Sequence, residues 1–324
     1  MRSGSPQARL RKIAVIVNRH AGKGKAIEAL QHARRVLWGW PMEFISPDSS
    51  EELRNVCAGL SQDKYEAAVV IGGDGTINHA IRGLARTGVP LLPFPGGTAN
   101  DLAAECGVKA DWEQVQRLID NNLHEAVDLI EANKVPYATV AGIGVGAALT
   151  AELNEKRRSS QFFRIGLDRL RSEIYTLLSA KTVILRNDYV HRLHVRSNVF
   201  DEKLQAAAVF ICNQDRLGGN MKVARSSENH DQIFSVLIIP AAPKHQLLMS
   251  LAKLKMGRIS EGDFILFSTG QVTIRELDHR PIEVFGDGET LVRESAIDFK
   301  ILPQGIRVYK ERRKTSREVK GANE

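Results

Sequence analysis

The chain has 324 residues, of which 43% are apolar and 26% are charged, and this composition predicts a folded protein of two domains rather than a disordered chain. Its longest apolar runs are far shorter than the roughly 20 residues that a membrane-spanning helix needs, so we expect no span. The net charge of +7 predicts an anionic partner, but with only 6% aromatic residues we expect no nucleic-acid partner.

The first third of the chain alternates between short apolar runs, typical of buried parallel strands, and amphipathic stretches, typical of helices. We predict strands at 12–18, 42–45, 67–71 and 90–94. We predict helices at 25–38, 49–60, 78–85, 100–104 and 112–121. Strands and helices in alternation indicate a parallel sheet with helices on its faces.

Strand-like segments dominate after about residue 125. Leu193 and Val195 alternate with polar neighbours, as in a half-buried antiparallel strand. The predicted strands are 137–141, 182–185, 193–199, 206–212, 233–239, 264–267, 272–275, 282–285 and 296–301, and the predicted helices are 162–179 and 245–256. We therefore predict an α/β domain at 12–128 and a β-sandwich domain at 129–302, with 303–324 as a segment that could pack back on the α/β domain.

Glycine-rich segments follow three of the predicted parallel strands. They are Asn18 to Lys25, Gly72 to Thr76 and Pro95 to Asp101. Glycines permit tight turns and let backbone amides approach a phosphate group, and a following helix start adds amide donors. Because the carboxyl ends of neighbouring parallel strands form a crevice, we predict a nucleotide phosphate site there. For the Gly72 segment alone, a plain tight turn is the alternative.

Two details qualify these turns. The first is not a Walker A loop, since Lys25 is followed by Ala26 rather than Ser or Thr. Asp74 stands in the middle of an anion-binding turn, which predicts a cation or a substrate hydroxyl beside it. Another glycine run, Gly142 to Ala147, matches a dinucleotide-binding pattern, but it lies where the β-rich half begins, and we expect a close backbone crossing instead.

Together the motifs resemble the diacylglycerol kinase catalytic-domain family, which includes bacterial lipid kinases and sphingosine kinases. The resemblance rests on Gly72 to Asn78, Pro95 to Asp101, Val17 to Gly22 and Gly286 to Glu289, and it covers roughly residues 13–309. The first motif alone is shared with NAD kinases and phosphofructokinases. The resemblance implies an α/β nucleotide domain, a β-sandwich, and an ATP site in the cleft between them.

The resemblance also implies roles for individual residues. The implied ATP-binding residues are Asn18, Arg19, Ala21, Gly22, Gly72, Gly73, Asp74, Gly75, Thr76, Asn78, Gly96, Gly97 and Thr98. The implied catalytic residues are Asp287, Glu289 and Asp74. A carboxylate suits this role because it can accept the proton of a weakly nucleophilic lipid hydroxyl. In an extended segment, positions 287 and 289 would face the same way, whereas an acidic hairpin turn is the alternative.

Mg²⁺ is expected because phosphoryl transfer requires the phosphate oxygens to be neutralised. Carboxylates are its preferred protein ligands, and the candidates are Asp74, Asp128 and Asp231. By the resemblance, Asp128 matches the family's acid where the second domain begins. Asp231 matches a structural Mg²⁺ ligand of some bacterial members, although Gln232 stands where that motif usually has glycine.

The implied function is ATP-dependent phosphorylation of a hydroxyl on a membrane lipid such as diacylglycerol or a related long-chain alcohol. The alternatives are a soluble kinase of the NAD-kinase type and a nucleotide-binding regulator without catalysis. Isolated Cys57, Cys106 and Cys212 and the lack of a signal peptide favour the cytoplasm, with peripheral contact at the inner face of the membrane. The segment Arg157 to Arg171 predicts contact with an anionic membrane surface or, alternatively, an ordinary surface helix. An edge strand of the sandwich could pair two subunits.

Overall fold

A computed structural model of the chain describes residues 11–17, 25–96, 100–145, 147, 189–213, 232–256, 262–286 and 289–311. The chain divides into two compact units, Met1–Ala126 with Ile306–Glu324 and Val127–Gly305. We call them the α/β unit and the β-rich unit. The predicted strand at 182–185 and the predicted helix at 162–179 lie outside the described residues.

The α/β unit has the predicted alternation. Its strands are β1 (Lys12–Val17), β2 (Met42–Ile45), β3 (Tyr65–Gly72) and β4 (Leu91–Pro95), and its helices are α1 (Lys25–Val36), α2 (Ser50–Ala58), α3 (Asp74–Leu84), α4 (Asp101–Glu105) and α5 (Trp112–Asp120). The strands are parallel in the order β4-β3-β1-β2. Strand residues 13–16 and 67–70 are all buried, as continuous apolar runs in a parallel sheet predict.

Helix α2 shows how the local sequence fixes a helix start. Ser49 accepts a hydrogen bond from the Glu52 backbone N–H at 3.0 Å, and the Glu52 carboxylate accepts one from the Asp48 N–H at 2.7 Å. This reciprocal pair supplies acceptors for two backbone donors that the helix itself leaves unpaired. The end of α2 approaches α3 closely, because a Cβ on Gly83 would lie 2.4 Å from the Cys57 side chain.

The β-rich unit is built mainly from antiparallel strands. They are β5 (His124–Ala132), β6 (Val135–Tyr137), β7 (Val140–Gly144), β8 (His191–Ser197), β9 (Asp201–Cys212), β10 (Phe234–Pro240), β11 (Ile265–Thr269), β12 (Gln271–Glu276), β13 (Ile282–Gly286), β14 (Glu289–Glu294) and β15 (Ala296–Tyr309), with helix α6 at Lys244–Lys255. Strands β5 and β15 each have one end in the α/β unit. The predicted fold class, a parallel α/β part followed by a β-rich part, is confirmed.

Strand order within the β-rich unit is β14-β13-β7-β9-β8-β12-β15, and β10 joins β9 on one side and β11 on the other. One apolar cluster, which includes Ile211, Val236 and Phe299, forms its main core. A second cluster, which includes Phe210 and Leu237, lies beneath α6. The two clusters therefore cover both faces of β9 and β10.

Several predicted boundaries were wrong. The single strand predicted at 137–141 is two strands, since β6 ends at Tyr137 and β7 begins at Val140. Strands β5 and β14 were missed. The helix predicted from residue 78 begins at Asp74, because Gly73 already has the extended conformation of a helix N-cap.

The glycine run near residue 144 is a close backbone crossing, as expected. Gly144 ends β7 with φ of +74°, and a Cβ there would lie 2.3 Å from the Ala207 carbonyl oxygen. Strand β7 pairs antiparallel with β9 and β13. A dinucleotide-binding unit has parallel strands, so this antiparallel setting does not fit one.

Candidate active site

The Gly72 turn and the start of the Pro95 turn meet at the carboxyl edge of the parallel sheet. Strands β3 and β4 are neighbours with Gly72 opposite Pro95, and the Gly96 N–H donates a hydrogen bond of 3.0 Å to the Gly72 carbonyl oxygen. A Cβ on Gly96 would lie 3.0 Å from the Gly72 nitrogen. A side chain at position 96 would therefore push the two turns apart by a few tenths of an ångström.

The third turn leaves the same edge of the sheet. Strand β1 ends with Val17 opposite Ile71 of β3. Three neighbouring strands, β4, β3 and β1, thus direct their carboxyl ends to one edge, which confirms the predicted placement of the strands that precede the three turns. The residues after Val17, from 18 to 24, lie outside the described part of the chain.

The start of α3 has the geometry of an anion site. Gly73 has no side chain that could accept from the first amides of the helix. A Cβ on Gly75 would meet no atom within 4 Å, so the first turn is open on that side. Open amides at a helix N-terminus donate to anions and carry the positive end of the helix dipole.

Gly72 has a different role, which is internal. A Cβ there would lie 2.5 Å from the Thr76 Cβ atom, and Thr76 is only 9% exposed. The threonine side chain therefore folds back against the end of β3 and fixes the turn. Asp74 and Asn78 are half-buried in the first turns of α3, and their spacing of four residues places them on one face of the helix.

Asp128 lies in the β-rich unit and is 3% exposed. Its carboxylate accepts backbone N–H groups from Gln304 at 2.7 Å and from Gln232 at 3.2 Å. Its carbonyl oxygen accepts from the Asn213 side-chain amide at 2.7 Å. Gln232 and Gln304 both have positive φ, of +59° and +51°, a conformation that costs energy for residues with a Cβ. Asp128 therefore holds β5, the end of β9, the approach to β10 and a bend of β15 together.

The segment Gly286 to Glu289 connects two antiparallel strands. Gly286 is the last residue of β13 and pairs with Glu289, the first residue of β14. The chain therefore reverses direction between Gly286 and Glu289, while residues 287 and 288 lie outside the described part, so the roles of Asp287 and Glu289 stay predictions. A Cβ on Gly286 would lie 2.6 Å from a Leu291 methyl group, which explains the glycine at that position.

Several predicted site residues lie outside the described part of the chain, together with the predicted membrane segment 157–171. They are Asn18, Arg19, Ala21, Gly22, Gly97, Thr98, Asp231 and Asp287. Their roles remain predictions. Gly72, Gly73, Asp74, Gly75, Thr76, Asn78 and Gly96 are described, and all belong to one edge of the α/β unit.

The structural roles of four further residues were not predicted from the sequence. Asn100 occupies the N-cap position of α4 with φ of +54°, and asparagine is one of the few residues other than glycine that tolerate that conformation. Asn213, Gln232 and Gln304 serve Asp128 through contacts that are remote in sequence. The role of Asn100 could have been predicted, since an asparagine follows a glycine turn and precedes a helix there. No sequence pattern indicated the contacts of Asp128.

A Mg²⁺ site was predicted at Asp74, Asp128 and Asp231, of which Asp74 and Asp128 are described. Within those ranges, no three Asp, Glu, His or Cys side chains form a group that could hold a metal ion. A Mg²⁺ ion bound together with nucleotide phosphates needs only one or two carboxylates, and waters and phosphate oxygens complete its shell. The half-buried Asp74 at the helix start fits that donor set, whereas both oxygens of Asp128 already accept backbone N–H groups.

The three cysteines take no part in the described site. Cys57, Cys106 and Cys212 are all buried free thiols. Burial raises the pKa of each thiol to about 12, so each stays protonated at neutral pH. In the part of the chain that the structure describes, no helix is long and apolar enough to cross a membrane.

Two family models account for nearly all of the described chain. Residues 12–132 match the diacylglycerol kinase catalytic domain. Residues 141–310, more than half of the chain, match the YegS C-terminal NAD kinase beta sandwich-like domain. The chain belongs to the diacylglycerol kinase catalytic-domain family. The resemblance inferred from the glycine turns is therefore confirmed.

Individual relatives are distant. A Staphylococcus carnosus protein named "Putative lipid kinase" is 22% identical over 79% of this chain and 82% of its own length. The Mycobacterium tuberculosis protein named "Diacylglycerol kinase" is 27% identical over a segment that covers 45% of this chain and 50% of that relative's length. A Bacillus anthracis crystal structure named as a "putative diacylglycerol kinase" has a TM-score of 0.70 at 19% identity and covers 93% of this chain and 98% of its own. That likeness establishes the fold.

Proposed function

We propose that this protein is an ATP-dependent lipid kinase, which transfers the γ-phosphoryl group to a hydroxyl of a membrane lipid such as diacylglycerol or a related long-chain alcohol. The observation that carries the proposal is the pair of touching glycine turns at the open start of α3, in a chain of this family. Kinases of the family use ATP, and the backbone amides at a helix N-terminus suit a nucleotide phosphate.

The phosphate groups of ATP would lie against main chain rather than against side chains. The amides of Gly73, Asp74 and Gly75 begin α3, and the absence of a Cβ at Gly75 leaves room for an oxygen atom. Gly96 brings the second turn against the first. The predicted contacts of Asn18, Arg19, Ala21, Gly22, Gly97 and Thr98 would complete the nucleotide site.

Asp74 is the described residue that we assign to Mg²⁺, and Asp231 stays a second candidate. A bound Mg²⁺ ion supplies charge neutralisation on the β- and γ-phosphate oxygens. The Asp74 carboxylate lies in the first turn of α3, where a negative side chain is also favoured by the helix dipole. Asp128 we assign to positioning, because its oxygens hold the backbone of Gln232 and Gln304.

Asp287 and Glu289 would act on the acceptor. As the lipid oxygen forms its bond to the γ-phosphorus and the bond to the ADP oxygen breaks, the hydroxyl proton passes to one of these carboxylates. The hairpin that carries them is held by the pairing of Gly286 with Glu289 and by the packing of Leu291 over Gly286.

Radiolabelled ATP supplied with a total lipid extract tests the proposal, because the labelled product identifies the acceptor. We expect label in a lipid fraction that diacylglycerol or a related alcohol increases. No labelled lipid from any extract, with ATP hydrolysis at background, would contradict it. Control reactions without Mg²⁺ should give no product.

A soluble acceptor is the second candidate, because the model that matches residues 141–310 names an NAD kinase-like β-sandwich. The same reaction with NAD in place of lipid separates the two. Turnover with NAD and none with lipid would establish the soluble kinase.

A further inference from the structure

Two stacked aromatic rings adjoin the start of the second glycine turn. Phe94 lies in β4 immediately before Pro95 and Gly96, and its ring lies against the indole of Trp112, with 4.6 Å between the ring centroids and 25° between the ring planes. Phe94 is 5% exposed and Trp112 is 2% exposed. This geometry is that of a stacked aromatic pair, which stabilises a structure beyond the area that it buries.

The indole belongs to a helix start that other side chains fix. Trp112 is the first residue of α5, and the Asp111 carboxylate caps this helix by accepting two backbone N–H groups at 3.0 and 3.3 Å. The buried Gln114 side chain accepts the Lys109 N–H and donates to the Gly107 carbonyl oxygen, both at 2.8 Å. The chain is therefore held on both sides of Trp112 without help from the glycine turn.

The polar atom of this indole does not explain why a tryptophan stands at position 112. In the part of the chain that the structure describes, the buried Nε1–H group of Trp112 has no hydrogen-bond partner. A buried donor without a partner costs free energy, and buried tryptophans usually have one. Leucine or phenylalanine would fill an apolar site without that cost. What this position gains from tryptophan is therefore the extent of its flat ring.

The ring on which the indole stacks ends the buried part of β4. Phe94 is opposite Ile71 in the β3–β4 pairing, and the next pair is Pro95 opposite Gly72. One hydrogen bond of 3.0 Å, from the Gly96 N–H to the Gly72 carbonyl oxygen, then joins the two turns. Phe94 is the last buried side chain before the turn, and a glycine has no side chain that could anchor it. The position of the turn therefore depends on how firmly Phe94 is held.

We propose that Trp112 is a positioning residue for ATP: by stacking on Phe94 it holds the Gly96 turn against the Gly72 turn, where we place the nucleotide phosphates. A site made of main-chain donors has to be held within about 0.5 Å of its productive geometry, and rigid support from neighbouring side chains provides this. Trp112 makes no contact with ATP on this proposal and acts through Phe94. The inference rests on the proposed function, from which it takes ATP as the ligand of the two turns.

Isothermal titration calorimetry with MgATP, in the absence of lipid, tests the positioning role. W112L keeps an apolar side chain but removes the flat ring, and we expect it to raise the Kd for MgATP about tenfold. W112F keeps a ring that can stack on Phe94 and removes the unpartnered N–H group, so its Kd should stay within about threefold of that of the unchanged protein. The matched control is L118A, which removes a fully buried side chain from the same helix; it should lower the melting temperature and leave the Kd unchanged.

A double variant tests whether Trp112 acts through Phe94. F94L should raise the Kd for MgATP by a factor similar to that of W112L, and the two changes together should be no worse than either alone, because each removes the same stack. Equal Kd values for W112L and the unchanged protein would overturn the positioning role. Equal losses of MgATP binding in W112L, W112F and L118A would also overturn it, since a general loss of packing in α5 produces that result.

Steady-state kinetics separates this inference from the proposed function. At saturating ATP, W112L should phosphorylate lipid with a kcat near that of the unchanged protein, while its KM for ATP rises. If the unchanged protein phosphorylates no lipid but W112L weakens MgATP binding and W112F does not, the proposed function fails and the positioning role stands. If W112L and the unchanged protein phosphorylate lipid with the same KM for ATP, the positioning role fails and the proposed function stands. Absence of MgATP binding by the unchanged protein would overturn both.

Discussion

The two units contribute different kinds of chemical group to the proposed reaction. In the α/β unit the candidate site is main chain: the Gly72 and Gly96 turns touch, and a Cβ on Gly75 in the first turn of α3 would meet no atom within 4 Å. In the β-rich unit the candidate groups are side chains: Asp287, which lies between β13 and β14 in the sequence, and Glu289, the first residue of β14. Main-chain donors bind phosphate in every protonation state of nearby side chains, whereas proton transfer requires a side chain that titrates. Changes in the two units should therefore affect different kinetic constants.

Glycines in the two units show the same division. Gly75 of the α/β unit faces open space, whereas Gly144 of the β-rich unit is surrounded by its own chain, with the Ala207 carbonyl oxygen 2.3 Å from the position of a Cβ. One glycine leaves room for a ligand, and the other leaves room for a neighbouring strand. An alanine at each position should harm function in the first case and stability in the second.

The largest effect is expected from the carboxylates. Asp287→Asn and Glu289→Gln should each lower kcat by about a hundredfold to ten-thousandfold with little change in the KM for ATP, because a proton acceptor is lost and the nucleotide contacts remain. Steady-state kinetics with a dispersed lipid substrate measures this. Glu283→Gln, an exposed change on the adjacent strand β13, is the matched control and should be active. Near-normal kcat in both variants would remove these residues from the mechanism.

Gly144→Ala should be the most damaging of the glycine changes for stability. The residue has φ of +74°, and the added methyl group would collide with backbone rather than with a movable side chain. We expect a loss of about 3–5 kcal/mol in the free energy of unfolding. Urea unfolding measures it, and Gly39→Ala, where a Cβ meets no atom within 4 Å, is the control that should change stability little. Equal stability of the two variants would show that β7 can move to make room.

Gly75→Ala should keep the stability of the protein and weaken its use of ATP, unlike Gly144→Ala. Alanine within a helix is more favourable than glycine by about 0.5–1 kcal/mol, so stability should be kept or slightly raised. The methyl group would occupy the open space beside the first amides of α3, and we expect the KM for ATP to rise about tenfold to a hundredfold. An unchanged KM would place the ATP phosphates away from this turn.

Asp128→Asn tests a side chain that serves structure. An asparagine has one acceptor oxygen where the carboxylate has two, so the N–H of Gln232 or Gln304 loses its partner in a buried place. The expected cost is about 1–3 kcal/mol in the free energy of unfolding. Asp298→Asn is the control, because an asparagine there can still accept from Thr273. If Asp128→Asn instead keeps full stability and needs a much higher Mg²⁺ concentration for activity, the prediction of Asp128 as a metal ligand is the better one.

Parts of the molecule could be predicted because their signals are local. The three glycine turns and the strands before them are contiguous in sequence, and Ser49 with Glu52 forms a helix start within four residues. Strand β14 was missed because its six residues are mostly polar and only Val292 is buried. The partners of Asp128 were beyond prediction, since Gln232 and Gln304 are 104 and 176 residues away along the chain. Whether a carboxylate holds backbone or metal depends on such remote contacts.

The smallest effect concerns Glu276, a carboxylate of the β-rich unit with no proposed part in catalysis. It is 0% exposed, and burial alone would raise its pKa. The backbone N–H groups of Arg280 and Asp278 and the Arg280 guanidinium outweigh burial, so the pKa lies below its ordinary value. A lowered pKa in the folded state means that the group stabilises the fold above the pKa of an unfolded glutamate, and that this stabilisation is lost as pH falls through the lowered pKa.

The variant Glu276→Gln should therefore be less stable than the unchanged protein at neutral pH, and the difference should shrink as pH falls below the ordinary pKa of a glutamate. Urea unfolding over that pH series measures it, and Glu202→Gln, an exposed change on β9, should give a constant and small difference. Because Glu276 lies at the end of β12 and not on the β13–β14 hairpin, kcat of the variant should follow its folded fraction at every pH. A pH profile of kcat that shifts while the protein stays folded would instead link Glu276 to the titration of Asp287 or Glu289, and the division between structural and catalytic carboxylates in the β-rich unit would fail.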